Sequence, residues 1–149
     1  MTFVVEEIDR ATPELVASLN SLLPQLSSSA DDLSLGDVEA IVESAASTMF
    51  VARTGDVVVG TLTLVVFSIP SGRRAWIEDV VVDEGARGSG VGEALTKAAL
   101  ESARERGVRT VDLTSRPSRD AANAMYVKLG FEVRETNVYR RMIKDNELE

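Results

Sequence analysis

The chain has 149 residues, 44% of them hydrophobic and 27% charged, with a net charge of −8, a make-up that supports a buried core without cross-links. It contains no cysteine and no histidine, which excludes thiol nucleophiles, Ser-His-Asp triads, haem ligation, disulfide frameworks and zinc sites built on those residues. The acidic balance argues against a nucleic-acid partner, so acid–base chemistry falls to carboxylates, tyrosine, lysine or the substrate itself.

Residues 3–8, rich in β-formers, read as a first strand. No basic n-region or apolar h-region precedes them, so no signal peptide is expected and the chain reads as cytoplasmic. Thr12-Pro13-Glu14 then opens a helix, with a threonine cap, proline in the first turn and an acid beside it. Leu15, Leu19, Leu22, Leu23 and Leu26 continue it at helical spacing. After a loop, Ser34-Leu35-Gly36-Asp37 has the form of a capping box for a second helix carrying Val38, Ile41 and Val42. Residues 1–50 also concentrate the charge: they hold nine acids against Arg10 alone, while the rest of the chain is balanced. A surface lined by this third would favour cations; a solvated acidic face is the plainer alternative.

The pattern then shifts to strand periodicity. Runs at 49–53 and 57–69 are joined by Thr54-Gly55-Asp56, and Pro70-Ser71-Gly72 turns the chain into a third run at 76–82. The run at 57–69 is interrupted by Gly60, Thr61, Thr63 and Ser68, too short and polar to cross a bilayer, so no membrane partner is expected. A helix over 90–106 carries Val91, Leu95, Ala98, Ala99 and Ala103 on one side and stops at Gly107. A strand at 108–114, a helix at 121–129 stopped by Gly130, and a final β region at 131–143 complete the order β-α-α-β-β-β-α-β-α-β-β. This is one α/β domain over 1–149 with a mixed sheet of six or seven strands, the long helix supplying a crossover between parallel strands.

The segment from Val80 to Gly92 carries the chemical signal. A strand ends and closely spaced glycines open a helix, whose first N–H groups lack internal partners; with Arg87 beside them they form a ready phosphate site. No lysine follows, so it is not a P-loop, and Glu93 stands where a dinucleotide fingerprint needs its third glycine. What fits is Arg-x-x-Gly-x-Gly, Arg87 to Gly92. Downstream, Tyr126-x-x-x-Gly130-Phe131 follows another strand.

With these two motifs in this order, the sequence resembles the GNAT superfamily of N-acetyltransferases from Phe3 to Ile143. The resemblance implies a sheet with a splayed central strand pair that admits the pantetheine arm of acetyl-CoA. Val80, Val81 and Val82 match the strand positions that pair with that arm, and Arg87, Gly88, Ser89, Gly90, Val91 and Gly92 match the pyrophosphate loop. Tyr126 matches the tyrosine that often protonates the departing thiolate, a role suited to a phenol that stays protonated near neutral pH; a packed helix aromatic is the alternative. Where the family often has asparagine before that tyrosine, this chain has Arg119, which is expected either to meet a CoA phosphate or to lie on the surface, and Asn123 takes over the polar contact.

Glu78 and Asp79 interrupt an apolar strand, and strand alternation predicts that they face opposite sides, one of them buried. An acid at Glu78 resembles the Glu-Asp pair of the polyamine and aminosugar-phosphate branches, which implies a base for the acceptor amine; a salt bridge to Arg73, Arg74 or a helix residue is the alternative. The implied function is direct acetyl transfer from acetyl-CoA to a primary amine in a ternary complex. With helices walling the acceptor side, the acidic first third points to a cationic acceptor: a polyamine, an aminoglycoside-like amine or a basic peptide end. A non-catalytic acyl-CoA sensor of the same fold is the alternative. No metal is implied, and a homodimer is in keeping with the family's habit of pairing through terminal strands.

Overall fold

The computed structural model describes residues 2–29 and 31–144. β1 (Val4–Glu7), β2 (Ser47–Thr54), β3 (Val57–Ile69), β4 (Gly72–Val82) and β5 (Thr110–Asp112) form one sheet in that order. Neighbours are antiparallel through β4, and β4 pairs with β5 in parallel. The connection to β5 runs through α3 (Val91–Glu105), the expected crossover.

Both N-terminal caps form as the sequence predicts. Thr12 Oγ1 accepts from the Leu15 amide at 3.1 Å to open α1 (Pro13–Leu22). Ser34 and Asp37 exchange two hydrogen bonds, 2.8 and 3.1 Å, to open α2 (Leu35–Glu43). The leucines of α1 do not continue as one helix: Leu23–Gln25 tightens into a 3-10 turn containing Pro24, which lacks the amide an interior turn needs. α4 (Asp120–Lys128) is the last helix among the described residues, and no helix among them is long and apolar enough to cross a membrane.

The sheet is covered on both faces, which explains why its central strands read as nearly continuous apolar runs. On one face Leu62, Leu64, Ala75 and Ile77 pack against Val91, Leu95, Ala99 and Ala103 of α3. On the other, Met49, Val51, Val58 and Val81 meet Leu15, Leu19 and Leu22 of α1 and Val38 of α2. Gly60 of β3 is where α3 comes closest: a Cβ there would lie 2.8 Å from Val91 Cγ1 and 3.1 Å from Leu95 Cδ1.

Among the described residues the sheet has five strands rather than six or seven. The expected β region at 131–143 forms no strand among the described residues. Its alternating pattern is compatible with a strand, but a ladder needs an edge to pair with, and β5 offers three residues. The segment stays at the surface, with Val133 96% and Tyr139 87% exposed.

Candidate active site

The parallel ladder between β4 and β5 ends at Trp76–Asp112. Beyond it β4 continues to Val82, while the chain after β5 turns away, so among the described residues the second half of β4 has no strand partner on that side. A cavity of about 1110 Å³ opens in this gap, with Val80, Val81 and Val82 on one wall and Leu113, Thr114 and Ser115 on the other. Pairing of β4 with β5 thus stops well short of the end of β4. The three valines turn their side chains into the two cores, leaving their backbone as the recognisable feature.

At the far end of β4 the cavity meets the glycine turn. Asp83 caps a short 3-10 turn, Glu84–Ala86, by accepting from the Gly85 amide at 3.1 Å. Gly88 and Gly90 then take φ of +79° and +89°, and Gly90 caps α3 without any side-chain hydrogen bond. Nothing lies within 4 Å of a Cβ at either position, so glycine is required by conformation rather than by space. Arg87, Gly88, Gly90, Val91 and Gly92 line the cavity, and the unpaired first amides of α3 make that end attractive to an anion. Ser89 is outside the lining and turns its hydroxyl back to the Ala86 carbonyl.

Tyr126 of α4 stands on the opposite wall, its ring in edge contact with Phe131 at 5.7 Å between centroids. It is 6% exposed. Burial pushes its phenol above the ordinary tyrosine range, while the charge of Arg119 pulls the other way, so the phenol is held protonated at neutral pH. Arg119 lines the cavity at the start of α4. Asn123 is not in the lining; its amide donates to the carbonyls of Arg116 at 3.0 Å and Pro117 at 3.5 Å, tying down the loop before α4. Lys128 reaches across to Glu93 of α3 at 3.1 Å, and Lys97 meets the same carboxylate at 3.3 Å.

Glu78 and Asp79 both line the cavity and both are exposed to it, which corrects the expectation of opposite faces. The β3–β4 register shifts between Thr61 and Thr63, which pair with Val81 and Glu78. Leu62 therefore opposes two residues, Asp79 and Val80: a bulge in β4. Asp79 adopts φ +49°, and a bulge of this kind cancels the alternation that a regular strand would impose. Desolvation pushes the Glu78 carboxyl above the usual range, Asp79 adds to this by repulsion, and Arg140 opposes it. No ion pair joins Glu78 to Arg73 or Arg74 among the described residues; Arg73 instead donates to the Arg106 carbonyl at 2.6 Å.

Among the lining residues that sequence reasoning missed, three bear on the site's polar chemistry. Gln25, after α1, donates to Asp83 Oδ1 at 2.9 Å and accepts from the Glu84 amide at 3.0 Å, clamping the glycine turn from across the sheet. Ser115 keeps a buried hydroxyl on the cavity wall that has no hydrogen-bond partner among the described residues. Arg140 arrives from the strandless C-terminal segment. No local signal marks any of them. None of the nine acids of residues 1–50 lines the cavity; its acidic character near the bulge comes from Glu78 and Asp79.

Residues 15–131 match the acetyltransferase (GNAT) family. Among curated proteins, the chain is 48% identical over 59 residues to a mycothiol acetyltransferase of Saccharomonospora viridis, a match covering 40% of this chain and 19% of that protein. The chain spans 19% to 40% of the lengths of the curated relatives it matches. Among solved structures, an acetyltransferase of Trypanosoma brucei superposes with a TM-score of 0.75 at 28% identity, over 93% of this chain and all of that one. A transcriptional regulator of Bacillus halodurans C-125 superposes with a TM-score of 0.80 at 26% identity, over 95% of this chain and all of that one.

Proposed function

The chain belongs to the acetyltransferase (GNAT) family, and we propose that it transfers an acetyl group directly from acetyl-CoA to a primary amine bound in the same cavity. The observation that carries this reading is the second half of β4, left without a β5 partner and leading through the glycine turn to the start of α3. A ligand that joins an amide-bearing arm to a pyrophosphate fits that sequence of partners. The backbone of Val80–Val82 pairs with the arm. The amides of Gly88, Gly90, Val91 and Gly92 take the pyrophosphate, helped by the permanent charge of Arg87, and Arg119 adds a second cation beside it.

The acceptor enters as an ammonium, attracted by Glu78 and Asp79, which replace the acidic first third as the reason to expect a cationic amine. Glu78 accepts the amine proton, directly or through water, and frees the nitrogen lone pair. Acetyl-CoA supplies the electrophilic thioester. Backbone amides of the splayed strand polarise its carbonyl, and holding both reactants together removes the entropic cost of encounter. As the thioester C–S bond breaks, Tyr126 gives its phenolic proton to the departing thiolate; the second proton lost by the attacking nitrogen passes to solvent, from which Tyr126 is reprotonated. With no cysteine in the chain, no thiol carries the acetyl group in between.

Calorimetric titration with acetyl-CoA, followed by mass spectrometry of a primary-amine panel, tests the reading. Saturable binding and an acetylated amine are expected, and absence of acetyl-CoA binding refutes it. A second reading, an acyl-CoA sensor without turnover, is favoured by the likeness to the Bacillus halodurans regulator. In that case acetyl-CoA binds but no amine is acetylated, and replacing Tyr126 changes nothing.

A further inference from the structure

The charged groups around the cavity divide into two sets. Glu93 is engaged by Lys97 and Lys128. Arg119 bears on Tyr126, and Arg87 stands by the glycine turn, its Nε donating to the Val82 carbonyl at 3.3 Å. Arg116 and Asp120 flank Arg119 at the α4 end of the lining. That leaves Glu78, Asp79 and Arg140 at the β4 bulge. Among the described residues none of these three side chains makes a hydrogen bond or a direct ion pair, yet all three line one cavity, and the charges of Asp79 and Arg140 both act on Glu78.

Two carboxylates and a guanidinium that share a wall without closing on one another form an incomplete charge set. A ligand with an ammonium alone would satisfy the carboxylates and leave Arg140 facing a like charge. A polyamine would worsen that repulsion with each added nitrogen. A ligand that carries an oxyanion a few bonds from its ammonium would meet both signs, because a guanidinium presents a planar fork of donors matched to carboxylate or phosphate.

We propose that Arg140 is a specificity residue of the acceptor site, and that the acceptor is a primary amine bearing a nearby carboxylate or phosphate. This rests on the transfer reading above. The C-terminal segment then has a function that its lack of strand structure obscures: it delivers a cation to the cavity that holds the bulge carboxylates. The selectivity is for a zwitterionic amine over a polycation.

The test compares acceptors of matched size on the full chain: β-alanine, 2-aminoethyl phosphate, propylamine and putrescine. Acetylation is followed by mass spectrometry and steady-state kinetics, with acetyl-CoA affinity measured separately by calorimetry. A charged hydrogen-bonded pair of this kind corresponds to a preference of about tenfold or more in kcat/KM for one of the two oxyanion-bearing amines over propylamine, with putrescine no better than propylamine. The carboxylate and phosphate arms identify which oxyanion the site takes. Arg140→Gln should remove the preference while leaving the acetyl-CoA Kd unchanged, and Arg140→Lys should restore part of it. The inference is overturned if putrescine is the best acceptor, or if Arg140→Gln keeps the preference. Failure of wild-type protein to bind acetyl-CoA overturns the transfer reading and this inference with it; normal binding with the wrong acceptor order overturns this inference alone.

Discussion

Replacing Gly60 with alanine should loosen the protein and weaken acetyl-CoA binding together, although Gly60 does not line the cavity. The added Cβ would sit 2.8 Å from Val91 Cγ1 and 3.1 Å from Leu95 Cδ1, where unstrained carbon contacts lie at roughly 3.5–4.0 Å. Neither neighbour can easily give way. Val91 and Leu95 are fully buried, and a β-branched side chain in a helix has essentially one rotamer. The remaining response is for the start of α3 to move off the sheet by a good fraction of an ångström. Overpacking of this kind costs about 1–3 kcal/mol. The opposing gain, from a stiffer unfolded chain, is about 0.4–1 kcal/mol, so destabilisation wins. For a chain of this size each kilocalorie lowers Tm by about 2–4 °C. Because Val91 is the first residue of α3, the amides proposed to hold the pyrophosphate shift with it, and acetyl-CoA affinity should fall several-fold. Thermal denaturation and calorimetry of Gly60→Ala, Val91→Ala and the double variant check this. The double variant should be more stable than the sum of the single changes implies, since Val91→Ala removes the clashing atoms. An unchanged Tm and Kd in Gly60→Ala, or strict additivity in the double variant, would refute the reasoning.

Other outcomes are expected at the site itself. Tyr126→Phe should lower kcat by about 10²–10⁴-fold, the usual range for a lost general acid, with acetyl-CoA Kd unchanged; unchanged turnover excludes the proton-donor role. If Glu78 is the base, activity falls as acid protonates it. Asp79→Asn then removes a repulsion that raises the Glu78 carboxyl and should shift the acidic limb of the pH–rate profile to lower pH. Arg140→Gln removes an attraction and should shift that limb the other way; shifts in the same direction would contradict the assignment. Glu93 is held below the ordinary glutamate range by Lys128 and Lys97, so its contribution to stability is present above that range and lost as pH falls through its lowered value. Glu93→Gln should therefore be the less stable protein at neutral pH, and the gap in Tm should close in acid.

Most of the architecture was determined by the sequence itself, because its signals are local. The Thr12 and Ser34 caps, the periodic leucines, the apolar runs of β2 and β3, and the left-handed glycines before α3 each depend on groups a few residues apart. The two glycine motifs, in their order, were enough to place the candidate ligand-binding turn and the tyrosine opposite it. Tertiary structure decided what depends on distant partners. Whether 131–143 becomes a strand is settled by the length of the edge at β5, not by its own alternation. Glu78 and Asp79 share a cavity because one residue of β3 opposes two of β4. Gly60 is required by the approach of α3, and Gln25 reaches the glycine turn only because the sheet brings the end of α1 beside it. The acidity of the first third is visible in composition, yet none of its acids lines the cavity. Arg140 lies in a segment with no motif of its own and enters the cavity only when the folded chain brings it to the bulge. Charge, register and close approach are pairwise quantities, and the second member of each pair is fixed only when the chain has folded.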